Sequence, residues 1–220
     1  MVEFIGSHGV STFGCKLKTL HIVLRHFLEY KAGMARKQHS ISKLKYLTPI
    51  ETVELEEKIA RNLTQQTKDA RPQRYMNAVM FELLLKTGMR SSELLALRPM
   101  DLQPETQSIC IATVKGGKDR ELPLPVEIYR RLEEIATGPP KERIFPIIHR
   151  TLLHHWHGFR LCNKKLHALR HTFAYNLYKK SKDLHLVKRA LGHRSINSTM
   201  VYQEQFYQQE DIVRLMDAYV

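Results

Sequence analysis

The sequence predicts a mainly α-helical protein carrying one small antiparallel β-sheet. Three observations point there. Apolar residues recur at helical spacing through most of the chain, as in Leu55 and Ile59 or Met76, Val79, Met80 and Leu83. Helix start and stop signals bracket those runs, notably Thr48-Pro49 at one end and Gly88 or Gly192 at the other. One stretch alone changes period: SICIATV at 108–114 is β-branched and short, and KGGK at 115–118 offers a reversal.

The elements follow in order. Residues 15–31 put Leu17, Leu20, Leu24, Phe27 and Leu28 on one helical face, and 32–46 read as a polar, basic connector. Thr48 is an N-cap, Pro49 the first helical residue, and Glu51 completes a capping box. TQQTKDARP at 64–72 reads as a polar break. Residues 73–87 form a strongly apolar helix that Gly88 ends, and SSELLALR after Arg90 makes a short helix. DRELPLP returns from the KGGK turn to close a hairpin with Lys115 at its tip. PVEIYRRLEEIA at 125–136 is a helix facing inward through Ile128, Leu132 and Ile135. RIFPII at 143–148 is a short extended piece, and 150–165 is helical. Helices over 168–180 and 184–191 follow, the second stopped by Gly192. Ser195–Gln205 is another helix, and 208–220 is a last amphipathic one with Ile212, Leu215, Met216 and Tyr219 along its stripe. That stripe can pack on its own domain or dock into a neighbouring copy. The organisation expected is an N-terminal helix and basic linker over 1–46, then one domain over 47–220.

Composition narrows the function. The chain has 220 residues, 43% hydrophobic and 26% charged, which is ordinary for a globular protein. No run of 18 apolar residues is present, and the N-terminus lacks the apolar core of a signal peptide, so a cytoplasmic protein with no membrane partner is expected. Cys15, Cys110 and Cys162 are odd in number and far apart, with no C-x-x-C spacing, which argues against a disulfide framework or a zinc site. Lys and Arg number 35 against 22 Asp and Glu, a net charge of +13. An excess of that size points to a polyanion, with nucleic acid foremost.

The polar residues at element boundaries sharpen this. Arg90 follows the Gly88 stop, Lys115 sits on the hairpin turn, His167 and Arg170 share a face by i,i+3 spacing, and His193 and Tyr202 lie nine positions apart (202 − 193). Two guanidiniums can clamp the nonbridging oxygens of a phosphodiester and stabilise a pentacoordinate transition state. A tyrosine can attack the phosphorus and hold it covalently, while a lysine or histidine protonates the departing alkoxide. Arginine charge then stands where a metal ion would, so no metal and no cofactor is expected. Among the other polar residues, Glu93 is read as orienting Arg90 or capping its helix, and His171 as a core or supporting residue. Trp156 is read as packing, and His154, His155 and His157 as scattered around a helix rather than gathered on a metal.

Taken together, GMRSSELLAL, VKGGKDRELPLP, HALRHTFA and LGHRSINSTMVY, in that order, resemble the catalytic boxes of the tyrosine recombinase (phage integrase) family over roughly 47–205. The resemblance implies the catalytic fold of that family and a site-specific DNA recombinase or integrase that works through a 3′-phosphotyrosine. It implies Arg90 and Arg170 as the paired arginines, Lys115 as general acid to the 5′-hydroxyl, and His167 as proton acceptor from the tyrosine. It further implies His193 as a hydrogen bond to the scissile phosphate and Tyr202 as nucleophile, with Tyr207 a poorly spaced substitute. Residues 1–46 then correspond to a remnant of the DNA-binding domain that precedes the catalytic one in the family. The implied partners are double-stranded DNA, a homotetramer on two DNA sites, and accessory DNA-bending proteins. Two other outcomes fit the same residues: relaxation of supercoils, as by a type IB topoisomerase, and a DNA-binding regulator that keeps the fold without turnover.

Overall fold

The computed structural model describes residues 45–113 and 117–203. The helix expected over 15–31, the tip of the hairpin with Lys115, and the tail helix over 208–220 lie outside the described residues.

Helices make up most of the described chain. They are α1 (Pro49–Asn62), α2 (Gln65–Ala70), α3 (Pro72–Thr87), α4 (Ser91–Leu94), α5 (Val126–Ile135), α6 (His149–Phe159), α7 (Ala168–Ser181), α8 (Leu184–Leu191) and α9 (Asn197–Gln203). A three-stranded antiparallel sheet interrupts them between α4 and α5, with β1 (Leu102–Gln103), β2 (Ser108–Ile111) and β3 (Arg120–Pro123) in that spatial order. The expected hairpin is present, pairing Ser108 with Pro123 and Ile111 with Arg120. β1 was not legible in advance: two residues, Leu102 and Gln103, are too short to show a period.

The capping signals work as their chemistry requires. The Thr48 side chain accepts from the Glu51 amide at 3.3 Å, and the Glu51 carboxylate accepts from the Thr48 amide at 2.7 Å. The polar stretch 64–72, expected as a break, instead holds α2. Thr64 acts as its N-cap, accepting from Thr67 N–H at 3.2 Å. A polar run with a good cap forms a short helix once a neighbour covers it, and α2 packs on α3. Conversely, the helix expected over 150–165 ends at Phe159. Residues 143–148 form no strand.

α3 is the hub of the core. Ala78, Val79, Met80, Phe81, Leu83, Leu84 and Leu85 are all buried, so it is apolar nearly all round. Trp156 from α6 meets Phe81 edge-on at 5.2 Å and donates its indole N–H to the Lys164 carbonyl at 2.9 Å, which makes it a packing residue. A second cluster forms where α7, α8 and α9 meet, from Tyr46, Ala174, Tyr178, Val187, Leu191 and Tyr202. Tyr46 enters it stacked on Tyr175, ring centroids 4.6 Å apart.

α3 stops at Gly88, which adopts the left-handed conformation with φ +61°. A Cβ there would lie 2.3 Å from Cδ1 of Phe173. Gly88→Ala therefore meets both backbone strain and overpacking, and should lower stability by about 2–4 kcal/mol, read as a fall in the urea midpoint at unchanged slope.

Candidate active site

Most of the described candidate residues stand where a helix begins or ends. Arg90 precedes α4, His167 precedes α7, Arg170 lies in the first turn of α7, His193 follows the Gly192 stop of α8, and Tyr202 belongs to α9. The fold brings these five together. Lys115 lies outside the described residues, but both flanks of its turn are held. On one side the Thr113 amide donates to Asp119 at 2.7 Å. On the other the Lys118 amide donates to the Gly192 carbonyl at 3.2 Å, directly beside His193.

Arg170 is 3% exposed and, among the described residues, its guanidinium is held by carbonyls and not by a carboxylate. Its Nη1 donates to the Gly88 carbonyl at 2.6 Å and its Nη2 to the Leu191 carbonyl at 2.8 Å. Those oxygens belong to the C-terminal ends of α3 and α8, where helix dipoles present negative charge. Burial, with Arg90 nearby, still pulls its pKa down to about 10, so it stays charged at neutral pH.

Arg90 is held by Glu93, whose side chain is fully buried. One carboxylate oxygen accepts from Arg90 Nη1 at 2.7 Å and the other from the Arg90 amide at 2.8 Å. Glu93 thus does both things expected of it: it orients Arg90 and caps α4. Burial alone would raise its pKa, but hydrogen bonds from Arg120 and Arg90 outweigh that and hold it below the ordinary value.

Arg120 was missed in the sequence reading. Its Nη2 donates to Glu93 at 2.8 Å and its Nε to the Ala190 carbonyl at 2.7 Å. It thereby ties β3 to the carboxylate that aims Arg90 and to the end of α8 that presents His193. A signal existed: in RELP, Arg120 and Leu122 share a strand face by period 2, so a cation sits on the inward side. Gly192 fits against this arginine, and a Cβ there would lie 2.8 Å from Arg120 Nη1. Its φ of +66° turns the chain toward His193.

His193 and His167 are both shifted toward the neutral ring. His193 has its Nδ1 3.0 Å from Thr199 Oγ1, and burial with the charges of Arg170 and Arg90 pushes its pKa down to about 3. His167 is lowered by burial and by the same two arginines. Its ring stands edge-on to that of His171 at 4.7 Å.

Tyr202 is 4% exposed and its ring belongs to the second core cluster. Its hydroxyl lies 3.0 Å from Nδ1 of His171. The described hydrogen bond to the phenol is thus made by His171, whose contact with it was not foreseen, and not by His167. Burial raises the phenol's pKa to about 12, while the charges of Arg170 and Arg90 act to lower it. The ring is core, while the hydroxyl is turned to His171 within the field of the Arg170 and Arg90 charges.

A cavity of about 670 Å³ opens beside His167 and Arg170. Met89, Trp156 and Leu166 line its apolar part, and His149, Arg160 and Lys165 its polar part. Among the described residues, no group of three or more His, Cys, Asp or Glu is arranged to hold a metal ion. No described helix is long and apolar enough to cross a membrane.

Known proteins resemble this chain in sequence and in fold. A tyrosine recombinase XerC of Agrobacterium fabrum is 36% identical over 159 residues, covering 65% of this chain and 49% of that protein. Among solved structures, the XerH site-specific recombinase bound to palindromic difH substrate, a post-cleavage complex, superposes with a TM-score of 0.60 at 28% identity. That match covers 83% of this chain and 55% of the other. XerA recombinase shares the fold with a TM-score of 0.59 at 19% identity, over 84% of this chain and 65% of that one. The chain spans about half the length of the curated relatives it matches. The model of the phage integrase family matches residues 54–209, most of the chain and all five of the gathered side chains, and the chain belongs to that family.

Proposed function

We propose that this protein is a site-specific DNA strand transferase that cuts and rejoins DNA through a covalent 3′-phosphotyrosine at Tyr202. The observation that carries the reading is a buried phenol whose hydroxyl bonds to His171 and lies within the field of the Arg170 and Arg90 guanidiniums. Kinship with recombinases whose solved structures hold DNA substrate supports it.

The chemistry follows from the residues. Each terminal nitrogen of Arg170 carries two N–H groups, and its bonds to Gly88 and Leu191 use one on each. The fork can hold a nonbridging phosphate oxygen while remaining docked on both helices. Arg90, aimed by Glu93, takes the other nonbridging oxygen. With Thr199 donating to Nδ1 of His193, that ring carries its proton on Nε2 and donates to the phosphate. Tyr202 Oη loses its proton and bonds to phosphorus, the bond from phosphorus to the 5′-oxygen breaks, and Lys115 protonates the leaving oxygen. Attack by a free 5′-hydroxyl reverses these steps on a new strand. The phosphotyrosyl ester conserves the bond energy, so no nucleotide cofactor or divalent ion enters. Residues 47–220 are the catalytic domain and 1–46 the helix and linker leading to it. Double-stranded DNA is the substrate, a homotetramer on two DNA sites the working assembly, with accessory DNA-bending proteins as further partners, and the cytoplasm the compartment.

A duplex selected by the protein from a randomised pool, nicked beside the cut, tests this. The expected result is a protein–DNA adduct that survives denaturation and forms in chelator. Binding without any adduct would make the protein a regulator. Relaxation of supercoiled plasmid lacking the selected sequence would make it a topoisomerase.

A further inference from the structure

We infer that His171 is a further catalytic residue, the group that aims the Tyr202 hydroxyl and takes its proton as the phosphorus–oxygen bond forms. The inference rests on the strand-transfer reading above. The pocket contains two histidines from one helix turn, and geometry distinguishes them. His171 Nδ1 lies 3.0 Å from the reacting oxygen, while His167 makes no described hydrogen bond to it and instead packs edge-on against the His171 ring at 4.7 Å. A general base must lie within hydrogen-bond reach of the proton it removes, and His171 satisfies that already in the free protein.

The surroundings keep the His171 ring neutral. Burial, then the neighbouring His167, Arg170 and Lys45, lower the His171 pKa to about 4, so its ring is neutral and able to accept at neutral pH. With Nε2 protonated, the lone pair on Nδ1 faces the phenol. The step balances. The proton moves from Tyr202 Oη to His171 Nδ1, the phenolic oxygen bonds to phosphorus, and the 5′-oxygen departs with a proton from Lys115. On rejoining, the 5′-hydroxyl attacks, its proton returns to Lys115, and His171 gives its proton back to the released phenolate. The high pKa of Tyr202, about 12, and the low one of His171 keep the proton on the phenol until phosphorus is in place. The nucleophile is therefore quiescent without DNA. His167, edge-on beside it, holds the His171 ring in register.

The test uses the full chain and the duplex that wild type selects from a randomised pool, with the cut mapped from the wild-type adduct. Rates of adduct formation are compared for His171→Ala, His171→Asn and Lys115→Ala. The substrate carries either oxygen or sulfur as the bridging atom at the 5′ side. Asparagine places an acceptor near the Nδ1 position but cannot take a proton. Both His171 variants should slow adduct formation by roughly 100- to 1,000-fold with either leaving atom. Sulfur, which leaves without protonation, should rescue Lys115→Ala alone. Melting temperature and affinity for the duplex separate this loss from misfolding. Without DNA, the Tyr202 Cζ resonance in ¹³C-tyrosine-labelled protein, assigned by its disappearance in Tyr202→Phe, should shift in His171→Ala. Wild-type rates in His171→Asn, or rescue of either His171 variant by sulfur, overturn the inference and leave the strand-transfer reading standing. A wild-type protein that binds the duplex and never forms an adduct overturns both.

Discussion

Tyr202→Phe yields a folded protein that binds DNA and forms no covalent complex with it. The ring stays in the cluster with Val187 and Leu191, so burial is unchanged. What is lost is the hydroxyl and its bond to His171, a stability change of about 1 kcal/mol. Without a nucleophilic oxygen the adduct rate falls by at least about 1,000-fold. Denaturing electrophoresis of the nicked-duplex reaction reads that loss, and thermal melting reads the small stability change. Adduct that persists in the variant would move the nucleophile elsewhere, with Tyr207 the first position to examine.

Arg170→Ala carries the largest stability change expected. The variant removes the donor shared by the Gly88 and Leu191 carbonyls and leaves both in a site that excludes water. Each hydrogen bond to a charged group is worth about 1.5–3 kcal/mol, so a loss of about 3–5 kcal/mol is expected in urea or thermal unfolding. That is a large fraction of the stability of a domain this size. Arg170→Lys discriminates structure from chemistry. One ammonium cannot reach both carbonyls in the geometry of a planar fork, yet it keeps the charge. The lysine variant should recover part of the stability while adduct formation remains at least about 100-fold down. If the lysine variant cuts at the wild-type rate, Arg170 serves as a point charge and its paired geometry is structural only.

Much of this architecture could be read from the residues because local rules and tertiary packing agree there. Thr48, Gly88 and Gly192 mark helix ends in the chain and do so in space, each through a hydrogen bond or a positive φ that its residue type favours. Five candidate residues that the fold gathers could be picked out because the chemistry restricts their types and because most of them fall near element boundaries. The rest depended on partners far away in sequence. α2 forms because α3 covers it, which the polar run 64–72 does not reveal. Residues 160–165 leave the helix because Lys164 turns away, its amine reaching Glu51 at 2.5 Å and the Tyr46 carbonyl at 2.6 Å. Arg120, and the contact of His171 with Tyr202, escaped notice for a similar reason. Each acts on a group 27 to 70 positions distant, and no spacing in the chain encodes that meeting.

The seat of Arg170 has a consequence for when the strand cleavage proposed for this protein could begin. Its two acceptors come from positions 82 and 21 residues away, and they coincide only after both helices have docked. A chain still emerging from the ribosome, or one partly melted, has no place for that guanidinium, and the phenol has no cationic neighbour to answer to. On the proposed reading, competence to break a strand thus arrives only as a by-product of finishing the fold.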